Sequence, residues 1–273
     1  MKSRIERLSV YPAPLRIGVF VLVLLLIWAP FVGLINWLVH DSNTASIVTI
    51  LLLYAEFIVL VRLWGRCVYH QPDLLKQYGL VRTRRNSINL RTGLAIGLTS
   101  LLLLFAVQGV FGWIIWLPPQ PFLPRMILEG SLTGLGFGFA EELLFRGWLL
   151  DELQRDYSLQ KAMWIDAIVY ALLHAPRSIA QVPALILLGL ALVLAKRASQ
   201  GRLGLSIGLH GGLVWGYYIV NVGQLIKYSD RVPDWLTGID RNPLASVTGM
   251  VALGAIALGM KVASSRPTAF PRT

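Results

Sequence analysis

Residues 134–150 read GLGFGFAEELLFRGWLL. Glycines recur among apolar residues, and three charges, Glu141, Glu142 and Arg146, sit inside the run. With its apolar lead-in from about residue 126, the stretch is long enough to cross a bilayer as a helix. Charge inside lipid is costly, and where it occurs it tends to mark a functional site. On a helix, Glu142 and Arg146 stand four residues apart and can pair. Glu141 is turned about 100 degrees away and is left for a different task. A buried carboxyl beside a cation can be poised as a general base near neutral pH. The alternative is one structural cluster of all three charges at the helix end.

The rest of the chain supports the membrane reading. Of 273 residues, 55% are hydrophobic and 14% charged, where a soluble domain carries about 25% charge. Mean hydropathy is +0.62. A net charge of +11 would suggest nucleic acid in a soluble protein, but here it fits Lys and Arg holding inside loops in place. No nucleic acid is expected as a partner. The single cysteine, Cys67, rules out an internal disulfide and any Cys-based zinc cluster.

Apolar runs lie near 15–39, 45–65, 93–117, 126–149, 159–175, 178–195, 203–222 and 243–262. They predict an all-α, polytopic transmembrane bundle of about eight spans. The first follows a basic start, but it is too long for a signal peptide's core and shows no cleavage site, so it reads as an uncleaved span. Counting Lys and Arg in alternating segments gives twenty inside and five outside when the N-terminus is placed inside. That predicts both termini inside. The organisation reads as N-terminal spans with a basic loop (1–125), a core (126–222), and an outer loop with a final span (223–273). The segment Leu74 to Arg91, basic with interspersed aliphatics, is expected on the lipid headgroups. Gly223 to Asn242 reads as a loop, with Pro233 and Gly238.

Small residues recur every four positions at Gly130, Gly134 and Gly138, and again at Gly204, Gly208, Gly212 and Gly216. Such faces let helix backbones approach closely in lipid. Two histidines lie inside apolar runs, His174 ending VYALLH and His210 within SIGLHGGLVWGYY. His40 and His70 fall in loops. At 1.5 Å per residue, Glu141 lies about 12 Å, His210 about 10 Å and His174 about 22 Å from the inside ends of their spans. The three can meet near mid-membrane, with His174 the worst fit. Asp166, Tyr170 and His174 form a ladder four residues apart that would orient His174 or line a proton path. Glu56, Gln108 and Glu129 read as packing or boundary residues.

Glu141-Glu142-x-x-x-Arg146, Tyr170-x-x-x-His174 and His210 in a glycine-flanked helix resemble the three ordered motifs of the CPBP family. This is the family of CAAX prenyl endopeptidases of the Ras-converting type and their bacterial relatives, with the pattern EExxxR, FxxxH, then HxxxN or HxxxD. The resemblance covers about 90 residues, Gly130 to Tyr218. It implies an intramembrane glutamic-type endopeptidase, a hydrolase expected to be multi-pass in the plasma (inner) membrane. Its partners would be the bilayer and a membrane-associated peptide or protein substrate, lipidated CAAX-like tails among them. By the same resemblance, Glu141 would activate water, His174 would hold or polarise that water, and His210 would stabilise the oxyanion. Glu142 and Arg146 would organise the site, with Tyr170 in support. No cofactor is required; a zinc ion, if held, would take Glu141, His174 and His210.

Two positions depart from the pattern. Tyr170 replaces Phe and keeps the aromatic face. Val214 stands where Asn or Asp is expected, and removing one oxyanion donor typically costs about 10²–10³ in rate. Asn221 lies about 16 Å further along the same face, too far to substitute. Trp215 and Tyr218 are other candidate donors. Two further function classes stay open: a non-catalytic scaffold or immunity-type protein of the same family, and a proton-coupled transporter. The pattern Gly204-Leu205-Ser206-Ile207-Gly208 matches GxSxG but lacks its strand–turn–helix context. Ser206 stands four residues before His210, in hydrogen-bond range on a helix.

Overall fold

The computed structural model describes residues 6–174 and 178–265. Lys2, Arg4, the junction at residues 175–177 between the fifth and sixth runs, Arg266 and Arg272 lie outside the described residues. Eight long helices account for most of what is described: α1 (Ala13–Leu38), α2 (Ser42–Cys67), α3 (Arg84–Val110), α4 (Leu123–Glu142), α5 (Leu159–His174), α6 (Val182–Ala198), α7 (Gly204–Tyr217) and α8 (Val247–Ser265). Among the described residues, five segments are long and apolar enough to cross a membrane: Ala13–Leu38, Ser42–Cys67, Arg84–Val110, Ile179–Ala198 and Val247–Ser265. The fold is thus a helical membrane bundle. The other three helices, α4, α5 and α7, carry Glu141, Glu142, Tyr170, His174 and His210, and Arg146 follows directly on α4.

The helix starts follow local chemistry. Asp41 caps α2 by accepting from the Thr44 amide at 2.7 Å, and Thr83 caps α3 by accepting from the Asn86 amide at 3.2 Å. Two boundaries differ from expectation. The basic segment holds a short helix, Leu74–Gln77, and its end from Arg84 onward forms the first turns of α3. At the other end, α3 stops at Val110 instead of running to residue 117, because Gly112 takes a φ of 68° and reverses the chain. Residues Ile114–Trp116 then form strand β1, which pairs antiparallel with β2, Ile226–Tyr228. The segment expected as a plain loop therefore contributes half of a small sheet.

Glycine stripes set the core. A Cβ at Gly208 would run into the Leu90 carbonyl, and one at Gly93 into the Leu205 carbonyl, so α3 and α7 touch backbone to backbone. Gly134 and Gly138 bring α4 equally close to α7 at Gly211 and Ile207. In lipid, where burying apolar surface between helices gains little, such close contact is what holds helices together.

The α4 helix does not end at Glu142. It passes into a π-helical stretch, Leu143–Leu149, and back into α-helix, Leu150–Gln154. This extension anchors the α1–α2 hairpin. Arg16 on α1 is buried and pairs with Glu152 at 3.0 Å, and the Tyr69 hydroxyl donates to the same carboxylate at 2.6 Å. Phe20, Phe57 and Trp148 interlock beside them, with centroids 4.4–6.0 Å apart. Arg16 is therefore an internal staple and not a loop charge.

Candidate active site

The two adjacent glutamates face different partners. Glu142 is fully buried and accepts from Arg146 Nη1 at 3.3 Å. Its Oε1 also lies 3.1 Å from His210 Nδ1. Glu141 turns the other way. Its Oε2 lies 3.7 Å from His174 Nε2 and 3.8 Å from His210 Nε2. Glu141, His174 and His210, on α4, α5 and α7, thus meet at one point. These separations exceed a direct hydrogen bond and fall within the span that one water bridges.

The π-helical stretch explains how His174 reaches the cluster despite its depth. Continuing to Gln154, the helix places Glu141 about 20 Å from its end, level with His174 on α5. π turns of this kind recur at functional sites.

The second nitrogen of each histidine is tied down. His174 Nδ1 lies 2.8 Å from the Tyr170 carbonyl, an acceptor, so Nδ1 carries the hydrogen. His210 Nδ1 likewise donates to the Glu142 carboxylate. Each ring, when neutral, then presents a bare Nε2 towards Glu141. Asp166 does not orient His174, as the ladder on α5 had suggested. It faces Arg146, with Oδ2 3.5 Å from Nε.

Arg146 is the centre of a buried charge group. Besides Glu142 and Asp166, it donates to the Gly189 carbonyl at 3.1 Å. Its guanidinium carbon stands 4.5 Å from the centroid of the Tyr170 ring. Among the described residues, Asp166 and Glu142 Oε2 have no hydrogen-bond partner, and the guanidinium charge offsets their burial. Sequence reasoning missed Lys196, counting it with the loop charges. It is buried, and its Nζ donates to the Arg146 carbonyl at 2.6 Å, within the π-helical stretch. The one available signal was its place at the end of an apolar run, VPALILLGLALVLAKRA.

Of the remaining candidates, Val214 stays beside the two histidines and the others lie apart from them. Val214 lines a cavity of about 360 Å³ together with His174 and His210. Trp215 points elsewhere, donating Nε1 to the Ile127 carbonyl at 2.9 Å. Tyr218 packs over Gly130. Asn221 lies 3.4 Å from the Arg241 carbonyl. Ser206 donates to Leu203 in its own helix at 3.1 Å and not to His210. Gln181, Asn242 and Asp240 line the same cavity as Val214 and bond to one another: Asn242 donates to Gln181 at 2.8 Å and Gln181 to Asp240 at 3.2 Å. Of the other polar residues, Gln108 is buried and donates to the Thr237 carbonyl at 2.9 Å, and Glu129 pairs with Arg125. Among the described residues no group of three or more His, Cys, Asp and Glu side chains is arranged to hold a metal ion.

Residues 119–216 match the family model described as type II CAAX prenyl endopeptidase Rce1-like. The matched segment contains Glu141, Glu142, Arg146, Tyr170, His174, His210 and Val214. It bears out, over those residues, the family resemblance carried by the three ordered motifs. Comparison with curated proteins and with solved structures gave no match.

Proposed function

We propose that the protein is an intramembrane endopeptidase in which Glu141 activates a water molecule for attack on a peptide bond. The observation that carries this reading is the convergence of the His174 and His210 Nε2 atoms on Glu141 Oε2. Glu141 takes a proton from water, and the hydroxide adds to the substrate carbonyl. His174, fixed through the Tyr170 carbonyl, holds the water. His210 stabilises the oxyanion when its Nε2 carries a proton, with Glu142 balancing the resulting imidazolium. Glu141 then returns its proton to the leaving amine. The substrate is a membrane-associated chain, lipidated or not. The bundle crosses the membrane eight times with both termini inside. Arg16, Arg146 and Lys196, counted among the inside charges, are buried in the bundle, and the asymmetry of the remaining Lys and Arg survives their removal.

Val214 favours one second reading, a non-catalytic scaffold, because the third-motif position offers the cavity a methyl surface where a donor is expected. A single experiment separates the readings. Protein in liposomes is given a lipid-anchored reporter peptide in ¹⁸O-water. Hydrolysis leaves one heavy oxygen in a new carboxyl terminus, and a serine-directed fluorophosphonate does not block it. An uncut peptide supports the scaffold. An uncut peptide with pH-driven solute uptake in the same vesicles supports a transporter.

A further inference from the structure

Both outer edges of the small sheet are unpaired among the described residues, and the edge of β2 is the one that lines a cavity. Leu117 N bonds Leu225 O at 2.8 Å and Ser229 N bonds Trp113 O at 3.0 Å. In an antiparallel pair the bonded residues alternate. Residues 225, 227 and 229 therefore spend their backbone groups on β1, while the N–H and C=O groups of Ile226 and Tyr228 point away from it. Among the described residues no hydrogen bond reaches those four groups.

That free edge borders a cavity of about 750 Å³, whose wall includes Ile226, Lys227 and Tyr228 in succession. Tyr217 and Asp240 line this cavity and also the smaller one that holds His174 and His210. The two spaces thus adjoin at these residues. Backbone strain gathers at the same place. Gln224, Asp230, Asp240 and Arg241, with φ of 54–62°, all line the larger cavity. Non-glycine residues held in this region store strain and cluster at binding sites.

We infer that the free edge of β2 docks an extended segment of the substrate polypeptide as a third strand and leads it past Tyr217 and Asp240 to the Glu141 cluster. Strand addition supplies affinity from main-chain hydrogen bonds, without requiring a particular sequence. An extended chain also presents its peptide bonds singly to a catalytic group, which a helical span cannot do. The inference rests on the endopeptidase reading for its purpose, but docking can be measured separately.

The test uses full-length protein in lipid nanodiscs and a pool of palmitoylated random-sequence decapeptides, each carrying one benzophenone. Light-induced labels are mapped by mass spectrometry in the Glu141→Gln protein, so that docking is read apart from hydrolysis. Labels are expected at residues 226–228 and 240–241. Ile226→Pro and Tyr228→Pro each delete one N–H on the free edge and leave the bonds to β1 intact. Each should lower this labelling about three- to tenfold relative to Ile226→Ala and Tyr228→Ala. If a proline variant fails to fold, N-methylated peptides report on the native edge. Methylation of alternate residues keeps one bonding edge and the label, and methylation of every residue loses both. Equal labelling of the proline and alanine variants, or full labelling by the wholly methylated pool, overturns the inference. The expected pattern without any hydrolysis by the native protein keeps the docking and removes the endopeptidase reading. Hydrolysis without the pattern removes the docking alone.

Discussion

His210 Nδ1 lies 3.1 Å from the carboxylate of fully buried Glu142. That contact fixes the tautomer of His210 and aims its other nitrogen at Glu141. It also links the proposed base, Glu141, to the buried charge group, because Glu142 is the carboxylate that pairs with Arg146. Glu142→Ala should therefore act twice. It leaves Arg146 with Asp166 as its one carboxylate partner, which should destabilise the protein by about 3–5 kcal/mol. It also frees the His210 ring, so activity falls even where the protein stays folded. Unfolding of the variant in detergent micelles, measured beside its cleavage rate, checks both effects. A loss of activity with unchanged stability would contradict the shared role.

Lys196 reaches the π-helical stretch from α6 through the Arg146 carbonyl. Hydrogen bonds from a charged donor contribute about 1.5–3 kcal/mol. Lys196→Met keeps the stem and removes the donor. It should destabilise the protein by about that amount and lower cleavage by disturbing the turn that sets Glu141 and Arg146. The check is a comparison with Lys161→Met on the exposed start of α5, which should change neither quantity.

The glycines divide by what stands opposite them. A Cβ at Gly208 would strike the Leu90 carbonyl, whereas one at Gly136 meets nothing within 4 Å. Gly208→Ala should force α3 and α7 apart and destabilise the bundle by about 1–3 kcal/mol. Gly136→Ala should be neutral or stabilising by up to about 1 kcal/mol, since alanine is the better helix former. Parallel thermal melts of the two variants settle the point.

Asp240 lies between β2 and α8 and lines the cavity that also holds His174 and His210. Hydrogen bonds from Ser178 and then Gln181 hold its carboxyl below the usual aspartate range. A carboxyl with a lowered folded-state pKa stabilises the folded segment above its unfolded pKa, and that contribution is lost as pH falls through the folded value. A spin label at Arg241→Cys should thus become more mobile below about pH 4. With Asp240→Ala added, the label should be mobile throughout the range.

Much of the site is legible in the sequence because charge in an apolar run is conspicuous. Glu141, Glu142 and Arg146 announce themselves in this way, and the separation of the two glutamates follows from helix geometry alone. The eight helices follow from the eight apolar runs. What stays hidden depends on partners far away in the chain. Lys196 looks like a loop charge because it stands at the end of its run beside Arg197, and only the fold shows the carbonyl it reaches. Asp166 looks like a support for His174 on its own helix, but the stronger pull comes from Arg146 on another. Ser206 follows the habit of helical serines and bonds a carbonyl one turn back. The π-helical stretch and strand β2 carry no proline, repeat or alternation long enough to mark them. The first carries Arg146, and the second lines the larger cavity.

Glu141 is the residue on which cleavage should depend most. Single-turnover cleavage of a lipid-anchored peptide by reconstituted protein should fall by about 10²-fold or more in Glu141→Gln, with the melting temperature unchanged. Cleavage by Glu141→Gln at the native rate would contradict the account.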